Sequence, residues 1–182
     1  MPDLSLKDRV AIVTGGSGDI GGAIARKLAE QGATTIATFV ENEKAAAELV
    51  QLIQNKGGFA RAVQLDQRSP ESVNLLMENV RKTEGSLDIL INNAAWNIGI
   101  PFPELHALTP EIWDRVLETN VRGPFLLARA GETMLKSGLG GHIVNISSAG
   151  GISPGSSSIA YSSSKAALNH LTRCLAVAMA PK

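Results

Sequence analysis

The chain has 182 residues, 44% of them hydrophobic, which is enough for one domain with a sizeable core. Its 17 basic and 17 acidic residues cancel, which argues against binding nucleic acid or a membrane surface through bulk charge. A single cysteine excludes an internal disulfide, and no apolar segment resembles a signal peptide or a membrane span, so we expect a cytoplasmic protein.

Short apolar runs alternate with longer stretches of helical periodicity along the whole chain. Near-continuous Val, Ile and Leu runs of this kind are typical of strands covered by helices on both faces, and the alternation predicts βαβ units. We therefore expect one α/β domain over 1–182, a Rossmann-type doubly wound parallel sheet with helices on both faces. Strands are predicted over 10–14, 35–40, 60–65, 87–92 and 142–146, and helices around Ile20–Leu28, Leu49–Ile53, Leu76–Val80, Trp113–Ala130 and Leu168–Leu175.

A glycine-rich turn, VTGGSGDIGG, joins the first predicted strand to the first helix. Its Gly16, Gly18 and Gly21 fit the spacing G-x-G-x-x-G, and a helix N-terminus offers unpaired N–H groups to a pyrophosphate. The same glycines also fit a tight turn against a closely packed helix. Asp19 lies in the middle of the turn, where its carboxylate would repel a phosphate.

Polar residues follow two further strands and begin the last helix. LDILINNAA ends in two asparagines and two alanines, HIVNISSAGG carries two serines, and AYSSSKAALNHL places Tyr161 and Lys165 four apart on one helical face. Each stretch alone also fits a turn, a cap or a surface pair. All of them fall at the carboxyl ends of strands or just after one, which is where ligands bind in such sheets.

With these motifs in place, the chain resembles the short-chain dehydrogenase/reductase family over essentially its whole length. TGGSGDIG matches the glycine turn of the longer, epimerase-like branch through Gly15, Gly18 and Gly21. The short single-domain branch is matched by N-N-A-A, by the asparagine of ETNVRGPF, by IVNISS and by a serine thirteen residues before the tyrosine. We assign the short branch with a substituted turn, in which Gly18 supplies the bare backbone and Asp19 points away from the phosphate.

The resemblance implies an NAD(P)-dependent oxidoreductase that interconverts a carbonyl and a secondary alcohol. Tyr161 would exchange the proton with the substrate oxygen, although a tyrosine hydroxyl, with a reference pKa of about 10, is a poor base without help. Lys165 would favour the phenolate through its charge, Ser148 would hold the substrate oxygen, and Asn120 would hold a water in a relay to the lysine. The histidines lack spaced ligand partners, so we predict no catalytic metal.

The resemblance also assigns the cofactor contacts. Phe39 stands where an acid at the end of the second strand usually selects NAD, so NADP(H) is favoured over NAD(H); Glu41 and Lys44 are the nearest charges. Trp96, Ile98 and Phe102 form either a substrate wall or a rigid loop. The predicted cofactor residues are Gly15, Ser17, Gly18, Asp19, Ile20, Gly21, Phe39, Asp66, Gln67, Asn93, Ala94, Ala95, Tyr161 and Lys165.

Family members usually continue through two further strands and a segment that covers the substrate, and the present sequence ends at LAVAMAPK. We therefore expect either a piece of a longer chain or a natural short form, with a C-terminally incomplete sheet. The partner would be a small carbonyl or alcohol, and a homo-oligomer is expected when the chain is complete. The alternative function is a dinucleotide-binding protein with weak or no turnover.

Overall fold

A computed structural model describes residues 5–137, 140–155 and 157–180. Five parallel strands form one sheet in the order β3-β2-β1-β4-β5, so the predicted doubly wound architecture is confirmed. Each strand lies within two residues of its predicted bounds. The strands are β1 Val10–Val13, β2 Thr34–Phe39, β3 Phe59–Gln64, β4 Ile89–Asn92 and β5 His142–Asn145.

Helices connect the strands and cover both faces. The long helix predicted around Trp113–Ala130 is one helical rod interrupted by a π-helical turn, Glu118–Arg122. Two single 3₁₀ turns, Leu105–Ala107 and Ala149–Gly151, lie in the connections. The helices are α1 Asp19–Glu30, α2 Glu43–Asn55, α3 Pro70–Thr83, α4 Pro110–Leu117, α5 Gly123–Leu135 and α6 Ile159–Met179.

The sheet reverses its order beside β1, and this reversal positions the site. From β1 the chain moves outward to β2 and β3, then returns to β4 on the other side of β1 and continues to β5. The connections that leave the carboxyl ends of β1 and β4 therefore diverge and open a crevice between them, which is where ligands bind in doubly wound sheets.

Two apolar layers hold the helices to the sheet. On one face Ile12, Ile36 and Leu90 pack with α3 and α5 side chains such as Leu76 and Leu127, all nearly inaccessible to water. The opposite layer, under α1 and α2, is built from smaller side chains. It contains Ala11, Val13, Ala25, Ala29, Ala37, Leu49, Ile53 and Ile91. Helix α6 packs beside α4 and the π turn and is anchored by Leu168.

Strand β5 forms one edge of the sheet, as predicted, because it pairs only with β4 among the described strands. Val144 on this strand is 44% exposed, whereas the β4 residues beside it are buried. Leu171 and Leu175 of α6 are half-buried, while Leu168 is covered. None of the described helices is long and apolar enough to cross a lipid bilayer.

Most helices begin with a side-chain cap, but α1 does not. Asn42, Ser69, Thr109 and Ser158 each accept a backbone N–H in the first turn of α2, α3, α4 and α6. The cap position of α1 is Gly18, which has no side chain to offer. The N–H groups that other helices satisfy with a cap are thus left for another acceptor at the start of α1.

We predict that Gly16→Ala destabilises the protein while Gly99→Ala does not. A Cβ at Gly16 would lie 2.6 Å from the Cβ of Ala37 on β2, whereas a Cβ at Gly99 would meet nothing within 4 Å. Overpacking of a filled core costs about 1–3 kcal/mol, so urea unfolding should show a loss of that size for Gly16→Ala alone. Equal unfolding midpoints for the two variants would contradict the tight packing of the turn on β2.

Candidate active site

The glycine turn after β1 is shaped by close backbone contacts. Gly15 has φ +66°, a conformation that a residue with a side chain rarely adopts, and its carbonyl accepts the N–H of Gly18 at 3.1 Å. A Cβ at Gly15 would lie 3.1 Å from the Cα of Ala94, and a Cβ at Gly21 would run into the Gly15 carbonyl oxygen. Close packing therefore requires glycine at positions 15 and 21.

Gly18 differs from these two glycines because a Cβ there would meet only the Gly15 carbonyl oxygen, at 3.5 Å. Protein contacts do not require its missing side chain. Gly18, Asp19 and Ile20 are all exposed on the cleft, and Ile20 is 63% exposed. Bare backbone at this point suits the approach of a ligand to the N-terminus of α1.

Asp19 is the first residue of α1 and is exposed. A carboxylate in the first helical turn interacts favourably with the helix dipole. Its carboxylate accepts no backbone N–H among the described residues.

Thr14 joins the ends of β1 and β4. Its buried hydroxyl oxygen accepts the N–H groups of Asn93 and Ala94 at 3.0 and 2.9 Å, while the Asn93 side chain donates to the Thr14 carbonyl at 2.9 Å. These bonds hold the chain after β4 against the glycine turn. Sequence reasoning missed Thr14, although a buried hydroxyl at the end of a central strand is a usable signal.

One open cleft of about 800 Å³ lies above the carboxyl ends of the strands. It is lined by every residue predicted to contact the cofactor, from the glycine turn through Phe39, Asp66, Gln67 and 93–95 to Tyr161 and Lys165. The structure adds lining residues that sequence reasoning did not assign. They include Thr38, Val40, Asn42, Arg68, Arg115, Thr119, Ile146 and Ser147.

Asp66, just after β3, is paired with Arg68. The Arg68 guanidinium donates to both carboxylate oxygens, at 3.0 and 2.7 Å, and the Arg68 backbone N–H donates at 3.0 Å. The hydrogen bonds from the Arg68 side chain are the main reason why the pKa of Asp66 lies below its usual value. Asp66 thus presents a fixed carboxylate to the cleft near neutral pH.

The side chain of Gln67 is more buried than its predicted role as a cofactor contact suggested. It is only 4% exposed, and its amide nitrogen donates to the carbonyls of Ala94 and Thr119 at 3.1 and 2.7 Å. Its side chain fills the space left by Gly123, where a Cβ would come within 2.7 Å of it. The Gln67 Oε1 is itself buried and has no hydrogen-bond partner among the described residues. Other parts of the residue line the cleft.

Lys165 is buried in the wall of the cleft below Tyr161. Its ammonium donates to the carbonyl of Ile146 at 2.7 Å and lies 5.5 Å from the centroid of the Tyr161 ring. No carboxylate is paired with it among residues 5–137, 140–155 and 157–180, and burial lowers the pKa of this ammonium. The predicted Tyr–Lys pair is therefore together at the cleft.

Two serines follow β5, and they are placed differently. Ser148 caps the 3₁₀ turn by accepting the Gly150 N–H at 3.2 Å, and its hydroxyl hydrogen has no acceptor among the described residues. Ser147 lines the cleft and donates to the carbonyl of Lys165 at 3.4 Å. Ser148 stands beside the cleft rather than among its lining residues.

Asn120 lies in the π turn and is only 1% exposed. Its Oδ1 accepts the Trp96 N–H at 2.8 Å, and its amide donates to the Trp96 carbonyl and the Ser164 hydroxyl at 3.0 Å each. Both amide hydrogens are thus used within the protein, and neither reaches Lys165. An interruption of this kind in a helix is frequent at functional sites.

Trp96 begins the loop that sequence reasoning assigned either to a substrate wall or to a rigid connection. Its backbone is held by Asn120, and its ring is covered by the Arg115 guanidinium at 4.3 Å from the centroid. Both side chains line the cleft. The start of the loop is therefore fixed and also faces the ligand space.

The short chain dehydrogenase family model matches residues 9–182. This chain belongs to that family. Glucose 1-dehydrogenase 2 of Bacillus subtilis is 33% identical over 178 residues, which cover 97% of this chain and 68% of that protein. The chain spans about two thirds of the length of the curated relatives it matches, from 64% to 71%.

Solved structures of family members superimpose closely. A short chain dehydrogenase from Burkholderia cenocepacia in complex with NADP has a TM-score of 0.88 and 34% identity, covering 97% of this chain and 70% of that one. A metagenomic short-chain oxidoreductase in complex with NADP has a TM-score of 0.87 and 34% identity, covering 97% and 79%.

We predict that Lys165→Met raises the free energy of unfolding at neutral pH by about 1 kcal/mol, so that the variant is more stable than the wild type. Because the pKa of Lys165 is lower in the folded than in the unfolded chain, the unfolded chain binds the proton more tightly. The wild-type lysine therefore opposes folding at neutral pH. This opposition fades as pH rises through the folded pKa towards the unfolded value of about 10.4.

Urea unfolding between neutral pH and pH about 10 measures this difference, which should shrink as pH rises. Lys44→Met, at an exposed lysine of α2, is the matched control and should show no such narrowing. A Lys165→Met variant that is less stable by a constant amount at every pH would contradict the cost assigned to the buried ammonium.

Proposed function

We propose that this chain is the cofactor-binding and proton-transfer part of an NAD(P)-dependent oxidoreductase that interconverts a carbonyl and a secondary alcohol. The observation that carries the proposal is one cleft in which Tyr161 and buried Lys165 stand across from an uncapped glycine turn. A small carbonyl or alcohol is the implied substrate. A cytoplasmic location and a homo-oligomer stay predictions.

The residues present fit a dinucleotide. The bare backbone at Gly18 and the free N–H groups of α1 would hold the pyrophosphate. At the other end, the fixed Asp66 carboxylate, which lines the cleft, is an acceptor for an amino group such as that of adenine. Asn93 and Ala94, held by Thr14, would line the path between the two ends.

When bound, the nicotinamide supplies or accepts the hydride at the carbonyl carbon. Tyr161 donates its hydroxyl proton to the carbonyl oxygen as the alcohol forms and takes it back in the reverse direction. The Lys165 ammonium favours the phenolate left on Tyr161, and its anchor on Ile146 keeps it near the ring. Ser148, whose hydroxyl hydrogen has no acceptor within the described part of the chain, orients the substrate oxygen.

NADP(H) is the proposed cofactor in preference to NAD(H). Phe39 ends β2 and is buried, so no acid stands at the position that usually binds the ribose 2′-OH of NAD. Similar solved structures that contain NADP support this preference. Glu41, the nearest acid, also lines the cleft and is the residue that would oppose a 2′-phosphate.

The second candidate is a dinucleotide-binding protein with little turnover. It is favoured by the exposed surface around β5, which pairs only with β4 among the described strands and is followed by Ile152, 84% exposed. Catalysis gains strongly from the exclusion of water around the reacting groups. Cofactor binding is common to both candidates, whereas reductase turnover distinguishes them.

Calorimetric titration tests the cofactor site: we expect at least one of NADPH and NADH to bind, with NADPH the tighter of the two. Gly18→Ala should weaken the binding of NADPH by about tenfold or more, because the added methyl group would face the proposed pyrophosphate position and not the protein. Its melting temperature should stay at the wild-type value, as should that of the control Gly99→Ala. No binding of either nucleotide to folded protein would remove the dinucleotide site, whereas tighter NADH would overturn only the role given to Phe39.

Tyr161→Phe should abolish NADPH oxidation with a carbonyl substrate, with a loss of about 100-fold or more, because the phenyl ring has no proton to donate. Its affinity for NADPH should change little. Steady-state turnover and a parallel nucleotide titration measure the two effects. Turnover by Tyr161→Phe at the wild-type rate would show that another group transfers the proton, and an inactive wild-type chain that binds NADPH would favour the second candidate.

A further inference from the structure

Three consecutive serines separate Tyr161 from Lys165, and they have different surroundings. Ser163 is exposed, and Ser162 is buried with a hydroxyl that has no partner among the residues the structure describes. Ser164 is completely buried with two partners. The same side chain thus occurs in adjacent positions of one helix with and without a hydrogen-bonding role. This contrast singles out Ser164.

The Ser164 hydroxyl donates to the backbone carbonyl of Tyr161 at 2.7 Å and accepts from the Asn120 amide at 3.0 Å. A hydroxyl has one hydrogen, so this donor is fully used. The remaining hydrogen-bonding groups of Asn120 go to the N–H and carbonyl of Trp96. A continuous chain of directional bonds therefore runs from the loop after β4, through the π turn, to the backbone of Tyr161.

These contacts restrict the movement of both the loop after β4 and the start of α6. Asn120 and Ser164 are both nearly inaccessible to water, so a bond lost between them leaves a buried donor unpaired. Trp96 also stacks under Arg115, which ties the loop to α4. As long as the Ser164 hydroxyl is present, the first turns of α6 cannot rotate against the π turn without breaking the bond to Asn120, while the bond to the Tyr161 carbonyl lies within α6.

We propose that Ser164 is a positioning residue, which holds Tyr161 in register with Trp96 on the ligand side of the cleft. The proposal rests on the proposed function for its effect on turnover, but its structural part does not. Misplacement of a reacting group by a fraction of an ångström lowers the rate without changing what binds. Ser164 therefore acts through Asn120 and Tyr161 and does not itself touch the ligand.

The serine series provides matched variants: Ser162→Ala, Ser163→Ala and Ser164→Ala, each made in the full 182-residue chain. The sequence has two tryptophans, so Trp113→Phe leaves Trp96 as the only indole fluorophore. Circular dichroism and a thermal melt establish that this background is folded. Acrylamide quenching of fluorescence then reports how firmly the loop after β4 is held.

We expect Ser164→Ala to raise the quenching constant of Trp96 about twofold or more, because the Asn120 amide loses its third anchor. Ser162→Ala and Ser163→Ala should keep the parent value. If Ser164→Ala does not fold, Ser164→Cys replaces it; its weaker donor should give an intermediate value. Quenching by either Ser164 variant that equals that of Ser163→Ala would overturn the proposal.

Turnover provides the second measurement. Ser164→Ala should lower kcat about tenfold with the KM for NADPH unchanged, and it should cause little further loss when added to Asn120→Ala, because both act through one network. Additive losses in the double variant would overturn the proposal. If the parent chain binds NADPH but shows no turnover, the second candidate function is favoured, while the quenching comparison still decides the role of Ser164.

Discussion

The cleft depends on one seam, in which the Thr14 hydroxyl accepts two N–H groups from the chain just after β4. This contact brings the ends of β1 and β4 together at the point where the strand order reverses. Backbone approach this close leaves no space for side chains, which is why Gly15 and Gly21 face Ala94 and Asn93 without a Cβ. The uncapped start of α1 is held in place by the same contact.

Residues 93–96 are held from three further directions as well. Gln67 binds the Ala94 carbonyl, Asn120 binds both backbone groups of Trp96, and the Asn93 side chain binds the Thr14 carbonyl. Each of these polar side chains is mostly buried, so each would destabilise the fold if left unpaired. Among the described residues their amide N–H groups are paired within the protein, while the Gln67 Oε1 is buried without a partner. The network therefore makes a rigid floor beneath the cleft.

Sequence reasoning located the strands and the cleft well because both follow from local patterns: apolar runs bounded by glycine, and polar residues just after strands. The spacing of Tyr161 and Lys165 fixed their common helical face. The π turn was missed since the apolar residues on either side continue a helical period, and one extra residue is invisible in that pattern. The inward turn of Gln67 depends on the space beside Gly123, a contact between residues far apart in sequence.

The buried ammonium of Lys165 lowers the stability of the fold. A buried ammonium without a carboxylate opposes folding, and a nearby acid would relieve that cost. The acid would also cancel the positive charge at the Tyr161 ring, where the proposed chemistry needs it. A backbone carbonyl, that of Ile146, resolves the conflict: it satisfies one N–H of the ammonium and removes none of its charge. Burial of the Lys165 ammonium therefore lowers the stability of the fold at the position where the proposed chemistry needs a positive charge. The neutral carbonyl of Ile146 limits this loss of stability.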